Sequence, residues 1–189
     1  MTSHASLAPK NGRADISVRV LAPAWRRDVP AATTLVRRAA RAALAEALHS
    51  ALRQRGARGP VELTVVLADD TVLRRLNRDY RGLDKPTNVL SFGGPDEWRA
   101  GALGAPIGLG DVILARETVA AEAAAQGKSM ADHASHLIVH GVLHLLGHDH
   151  HDAADAAMME SVEVEVLTGL GIADPYAAPP AAGPAGRRT

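Results

Sequence analysis

Cysteine is missing from all 189 residues, which excludes disulfides, thiolate metal sites and cysteine nucleophiles. Aromatic side chains are scarce: Trp25, Tyr80, Phe92, Trp98 and Tyr176 make up 3% of the chain, too few for the serial base stacking of single-strand binding folds. No apolar run reaches the ~18 residues that a membrane span needs, so no membrane partner is expected. The stretch Met1 to Arg13 is polar and holds no apolar signal-peptide centre, which predicts a soluble, cytoplasmic protein. Net charge is also missing. Lys plus Arg and Asp plus Glu both total 21, which rules out a uniformly basic coat for nucleic acid.

The zero conceals an asymmetry. Between Arg19 and Arg58 there are nine arginines against Asp28 and Glu46; between Asp111 and Glu165 there are ten acids against Arg116 and Lys128. Seven of the nine histidines lie in that acidic half, from His133 to His151. Residues 1–13 and the Pro/Ala/Gly-rich residues 177–189 cannot bury an apolar face and are read as a disordered leader and tail around one domain at 14–176.

Within that domain, Ile16, Val18 and Val20 alternate with polar residues as a half-buried strand does. Further strands are predicted at Val61 to Ala68, Thr87 to Phe92 and Ile107 to Leu114. Apolar residues at helical spacing predict a long helix from Pro30 to Arg55, ended by Gly56. A short helix capped by Asp69-Asp70 should run through Tyr80, and three more are expected at Ala115 to Gln126, Met130 to Leu146 and Ala153 to Leu170. The stretch Gly93 to Pro106 reads as a flexible linker. These elements specify an α+β fold: a small four-stranded mixed sheet with flanking helices.

The helix before Gly147 carries the chemistry. Ser129 is a good N-cap and Gly147 a good terminator, and the interior from Leu137 to Leu146 is apolar almost all round, so the helix should be buried. A buried helix should not carry His136, His140 and His144 at four-residue steps without partners for their nitrogens. His140 and His144 rise from one face about 6 Å apart at the backbone, and a reversal at Gly147 can return His150 as a third ligand. Three neutral imidazoles leave the fourth position of a zinc ion open, as catalytic sites do. His151 competes as third ligand, and core or capping roles are the alternative for all of them. His133 and His148 read as solvated or capping.

The spacing H-x3-H-x2-G-x2-H matches a zincin-like metal-hydrolase architecture, the metzincin protease pattern, except that Gly141 stands where the general-base Glu belongs. That substitution counts against peptide hydrolysis. Asp111 and Asp149 are candidates for a general base or, more naturally, for carboxylates that orient a ligand histidine.

A second constellation, L-N-R-D-Y-R-G-L-D-K-P-T-N-V-L-S-F from Leu76 to Phe92, presents Arg81 and Lys85 near an exposed turn; arginine suits bidentate phosphate contact. This stretch, L-G-D-V at Leu109 to Val112, Q-G-K-S at Gln126 to Ser129, the run from His136 to His150 and Met159-Glu160 together resemble the YbeY family of bacterial rRNA maturation factors. The resemblance spans about Ile16 to Tyr176. The chain has His148 where the family usually has tyrosine.

The resemblance implies a bacterial, single-strand-specific, zinc-dependent endoribonuclease acting in 16S rRNA 3′-end maturation and ribosome quality control. It assigns one zinc ion per chain to His140, His144 and His150, and a catalytic role to Arg81. Lys85 and Asn88 are the expected substrate contacts, and His136 is expected to support the site from one turn behind it, to touch substrate, or simply to pack. The expected partners are single-stranded RNA, a 16S rRNA precursor and ribosome or small-subunit assembly proteins, and not DNA. The rivals are a zinc metalloprotease or other zinc hydrolase, and a non-catalytic assembly factor with a structural metal.

Overall fold

Alternation of apolar and polar residues gives the first strand, β1 (Ala14–Val20), and the same pattern passing into a continuous apolar run gives β2 (Val61–Ala68). The remaining strands are β3 (Val89–Gly93) and β4 (Ile107–Ala115), and the helices are α1 (Trp25–Asp28), α2 (Ala32–Gln54), α3 (Asp70–Arg81), α4 (Arg116–Ala125), α5 (Met130–Leu145) and α6 (Ala153–Gly169). The structure, a computed structural model, describes residues 14–54, 59–95, 98, 105–149 and 152–177. The expected leader, nearly all of the expected tail, Gly56 and most of the expected linker lie outside those residues.

The strands form one sheet in the order β1-β2-β4-β3. β1, β2 and β4 run parallel, and β3 pairs antiparallel with β4 at one edge. The expected α+β fold with a four-stranded mixed sheet is therefore the observed one. The sequence pattern missed only α1, a single turn too short to show a helical period. Its Trp25 is 1% exposed, and its indole Nε1 donates to the Ala68 carbonyl at 2.8 Å, so a scarce ring fills the core with its polar atom satisfied.

One sheet face, including Leu63, Val65, Leu67, Leu109, Val112 and Leu114, packs with α2 and α5 in the main core. The other face buries Val66, Ala68, Leu90 and Ala115 with Leu73 of α3. Alanines at 39, 40, 43, 47 and 51 line the buried side of α2, and their small size lets that helix approach α5 closely. α5 is buried along Ile138, Val139, Val142 and Leu143, as its apolar circumference predicts. Ser129 caps it, accepting the amide of Asp132 at 3.0 Å.

Gly141 fixes how deeply α5 sits. A Cβ added there would lie 2.6 Å from Val112 Cγ1 and 3.0 Å from Ser91 Oγ, so the helix backbone rests directly on β4 and β3. Ser91 Oγ donates to the Gly141 carbonyl at 3.2 Å. The position that would carry the metzincin base therefore faces the sheet, with no room for a side chain.

Candidate active site

The seating of α5 turns its histidine stripe outwards beside the edge strand β3. A cleft of about 510 Å³ opens there, lined by His140, His144 and Leu145 of α5, by Val89, Ser91 and Gly93 of β3, by Arg81, Thr87 and Asn88 of the α3–β3 connection, and by Asp149. Two of the three expected zinc ligands and the expected catalytic arginine thus share one cleft. His150 and His151 lie outside the described residues. No cluster of three metal-ligating side chains forms among the described residues.

The Nε2 atoms of His140 and His144 are 3.1 Å apart. Each ring is held from behind. His144 Nδ1 lies 3.1 Å from the His148 carbonyl, which can only accept, so that nitrogen carries the proton. The carbonyl is brought there by the turn after α5, where Gly147 adopts φ 93° and the His148 amide donates to the Leu143 carbonyl at 3.0 Å. His140 Nδ1 lies 2.7 Å from Oε1 of Glu163 on α6.

Glu163 is wholly buried. Its Oε2 accepts from His136 Nε2 at 3.1 Å and from the Tyr176 hydroxyl. Burial pushes the Glu163 carboxyl up, but the hydrogen bonds from His136, His140 and Tyr176 outweigh it and hold the group at about 2, so it is ionised. Tyr176 is pushed up in turn, by burial and by the carboxylate beside it. No lysine or arginine pairs with Glu163 among the described residues.

With both Nδ1 atoms donating, His140 and His144 turn their Nε2 atoms towards one another. A proton or a cation between them stabilises that arrangement, and a nearby cation would also offset the buried charge of Glu163. Imidazoles whose second nitrogen is fixed by a carboxylate or a carbonyl are the donor set that zinc uses. The residues present fit the metal.

The opposite wall is assembled differently. α3 starts at Asp69, whose carboxylate accepts the Val72 amide at 2.9 Å, and stops at Gly82, whose φ of 71° suits glycine. Buried Asn77 donates from Nδ2 to the Lys85 carbonyl at 2.8 Å and fastens the connection to β3. Arg74 and Asp84 brace the loop through two contacts of 2.8 Å. Arg81, the last helical residue, is thereby held at the cleft, exposed and in no ion pair with a described residue.

A family model for the endoribonuclease YbeY matches residues 30–171. The chain belongs to the YbeY endoribonuclease family. It is 53% identical over 164 residues to a protein named endoribonuclease YbeY from Paramagnetospirillum magneticum, covering 86% of this chain and 95% of that one. A second relative of that name, from Rhodospirillum rubrum, is 50% identical over 154 residues, covering 81% and 76%. The solution structure of TM1509 from Thermotoga maritima aligns at a TM-score of 0.48 with 19% identity, over 87% of this chain and 100% of that one, too loose a likeness to add to the sequence match.

In this YbeY chain the expected substrate contacts separate. Asn88 lines the cleft, but its Nδ2 donates to both carboxylate oxygens of Glu122 (3.2 and 2.9 Å) and its Oδ1 accepts the Val89 amide at 2.7 Å. Lys85 is exposed on the connecting loop and does not line the cleft. His136 is turned away from the cleft towards Glu163 and Tyr176.

Two further expectations are corrected. His133 is not solvated: it is buried, with Nε2 2.8 Å from Glu122 Oε2. The carboxylate that orients His140 is Glu163 of α6, whereas Asp111 is exposed on β4 and does not line the cleft. The only local signal for Glu163 is an acid on an otherwise buried helix stripe with Met159, Val166 and Leu167, at i−4, i+3 and i+4.

Proposed function

We propose that this chain is a zinc-dependent endoribonuclease that cleaves single-stranded RNA in the bacterial cytoplasm, acting in 16S rRNA 3′-end maturation and ribosome quality control with ribosomal or small-subunit assembly partners. The observation that supports it most is the shared cleft, with two converging histidines on one wall and an exposed arginine on the other. His140 and His144, completed by His150, would hold one zinc ion. A zinc ion bound there supplies Lewis acidity and lowers the pKa of a bound water to about 7.

The chain's own groups do the rest. Arg81 binds the scissile phosphate and offsets the charge that builds on its oxygens as the bond breaks. Asp149 is the one carboxylate among the described lining residues, and it takes the proton from the attacking oxygen. Glu163 and the His148 carbonyl keep protons on the Nδ1 atoms, which leaves both Nε2 atoms as donors. Among the described strands β3 lies at the sheet edge, where an extended single strand of RNA would find more room beside the cleft than a duplex.

The metalloprotease reading shares the histidine spacing, but Gly141 faces the sheet, so no general base stands where that reading needs one. Incubating the purified protein with single-stranded RNA, duplex RNA and casein, each with and without chelator, separates the readings. Cleavage of single-stranded RNA alone, abolished by chelator and restored by zinc, is expected. Cleavage of casein overturns the proposal in favour of a protease. Cleavage of nothing, with chelator still lowering the melting temperature, points instead to a structural metal.

A further inference from the structure

The last described segment comes back over α5. After α6 the chain turns at Gly171, Ile172 packs against the main core, and Lys128 Nζ donates to the Pro175 carbonyl at 2.9 Å. These contacts deliver Tyr176, whose hydroxyl donates to Glu163 Oε2 and whose ring meets His136 edge-on at 5.7 Å between centroids. Tyr176 is 46% exposed, and the end that matters is its hydroxyl, which reaches the wholly buried carboxylate.

We propose that Glu163, clamped by Tyr176 and His136, is the positioning residue that sets the tautomer and direction of His140, so that the C-terminal strap through Tyr176 is part of the metal-binding apparatus. The inference rests on the zinc reading above and extends it to three side chains that lie outside the cleft.

A carboxylate on a short bond to His140 Nδ1 does two things. It holds the proton on that nitrogen, and it raises the electron density at Nε2, which strengthens it as a donor. A carboxylate with a single donor is free to rotate about its last torsion. Here Oε1 serves His140 while Oε2 is pinned by His136 and Tyr176, so the group has one orientation. His136, which the sequence left open between support, substrate contact and packing, serves as one jaw of this clamp. A solvated carboxylate would hold His140 less firmly, because water competes for the same lone pairs; the burial of Glu163 removes that competition.

The test uses full-length protein and zinc alone as the probe. The zinc dissociation constant is measured by chelator competition for the wild type, Glu163→Gln, Tyr176→Phe and Glu122→Gln, with the melting temperature of each metal-free form and the visible spectrum of each cobalt-substituted form. Glu163→Gln keeps the shape and removes the charge; zinc binding should weaken by about 10- to 100-fold, the range for losing a carboxylate behind a ligand histidine. Tyr176→Phe should weaken it less, in the same direction, and both should shift the cobalt bands while the metal-free melting temperature holds.

Glu122→Gln removes a matched carboxylate that serves His133 instead, and it should leave zinc affinity unchanged. Wild-type protein that binds zinc alongside Glu163→Gln and Tyr176→Phe forms of equal affinity overturns the inference and leaves the functional reading standing. Wild-type protein that binds no zinc removes both. Should Glu163→Gln fail to fold, Tyr176→Phe decides the matter alone.

Discussion

Across the cleft from His140 and His144, which are held at their second nitrogens by a buried carboxylate and a carbonyl, Arg81 ends a helix that is open to water over its last turn. The histidine wall fixes its two rings through contacts made by α5 with α6 and with the turn that follows α5. The arginine wall is placed by backbone devices, an N-cap, a left-handed glycine and one buried amide, and its charged head is exposed. Groups held at both ends by interior contacts have one direction; a long cation at a helix end is fixed only at its base. Polar groups inside the protein need partners and so lock into position, whereas surface charges are solvated and do not.

The largest expected effect comes from breaking the rigid wall. His144→Ala should leave no measurable zinc in the purified protein and no RNA cleavage, as metal analysis and the RNA assay would read. Zinc retained at one ion per chain would mean that this wall is not the metal wall. Next is Arg81→Ala, expected to slow RNA cleavage by at least about tenfold, the order for losing a transition-state charge partner, with zinc content unchanged. Loss of zinc together with activity would show that the two walls are not independent.

Smaller is Gly141→Ala. The helix interior favours Ala over Gly by about 1 kcal/mol, but the contact at 2.6 Å is with a stiff Val112 branch, and overpacking of this kind costs about 1–3 kcal/mol. A lowered denaturation midpoint is expected, with RNA cleavage impaired as α5 is pushed off β3.

The smallest effect is a pH slope. Burial pushes the His133 imidazole below its ordinary value of 6.5 despite the Glu122 carboxylate beside it. The unfolded chain therefore takes up a proton that the folded chain refuses, and stability falls as pH drops through 6.5, levelling off once the folded ring also titrates. His133→Gln should give a shallower loss of melting temperature between pH 7.5 and 5.5; an unchanged slope would mean that the acid sensitivity arises elsewhere.

Much of the histidine wall is legible in the sequence because α5 is local. Its cap at Ser129, its stop at Gly147 and the i, i+4 spacing of His140 and His144 lie within about five turns of one helix, and helical geometry converts that spacing directly into proximity. Arg81 is legible as a cation at a helix end but not as a cleft residue without the family resemblance, because its partners come from β3 and α5. The role of His136 stays open in the sequence for a related reason: the stripe turns with the helix, so the same four-residue step that brings His140 to the cleft carries His136 back under α6. Asp111 stands out ahead of Glu163 as an orienting group because a strand acid beside a motif is visible, while a carboxylate 23 residues from its histidine is not.

Every described element but α1, the α+β class, the exclusion of cysteine chemistry and the helix that bears the metal-type histidines could be read along the chain, since each depends on periodicity, capping or composition within a short window. Only the tertiary structure decided that Gly141 is a contact point with the sheet, that Asn88 and His133 share Glu122, and that Glu163 and Tyr176 stand behind His140. Those facts depend on which faces meet when α5 and α6 pack, and packing is set by the shapes of all the side chains together rather than by any one segment.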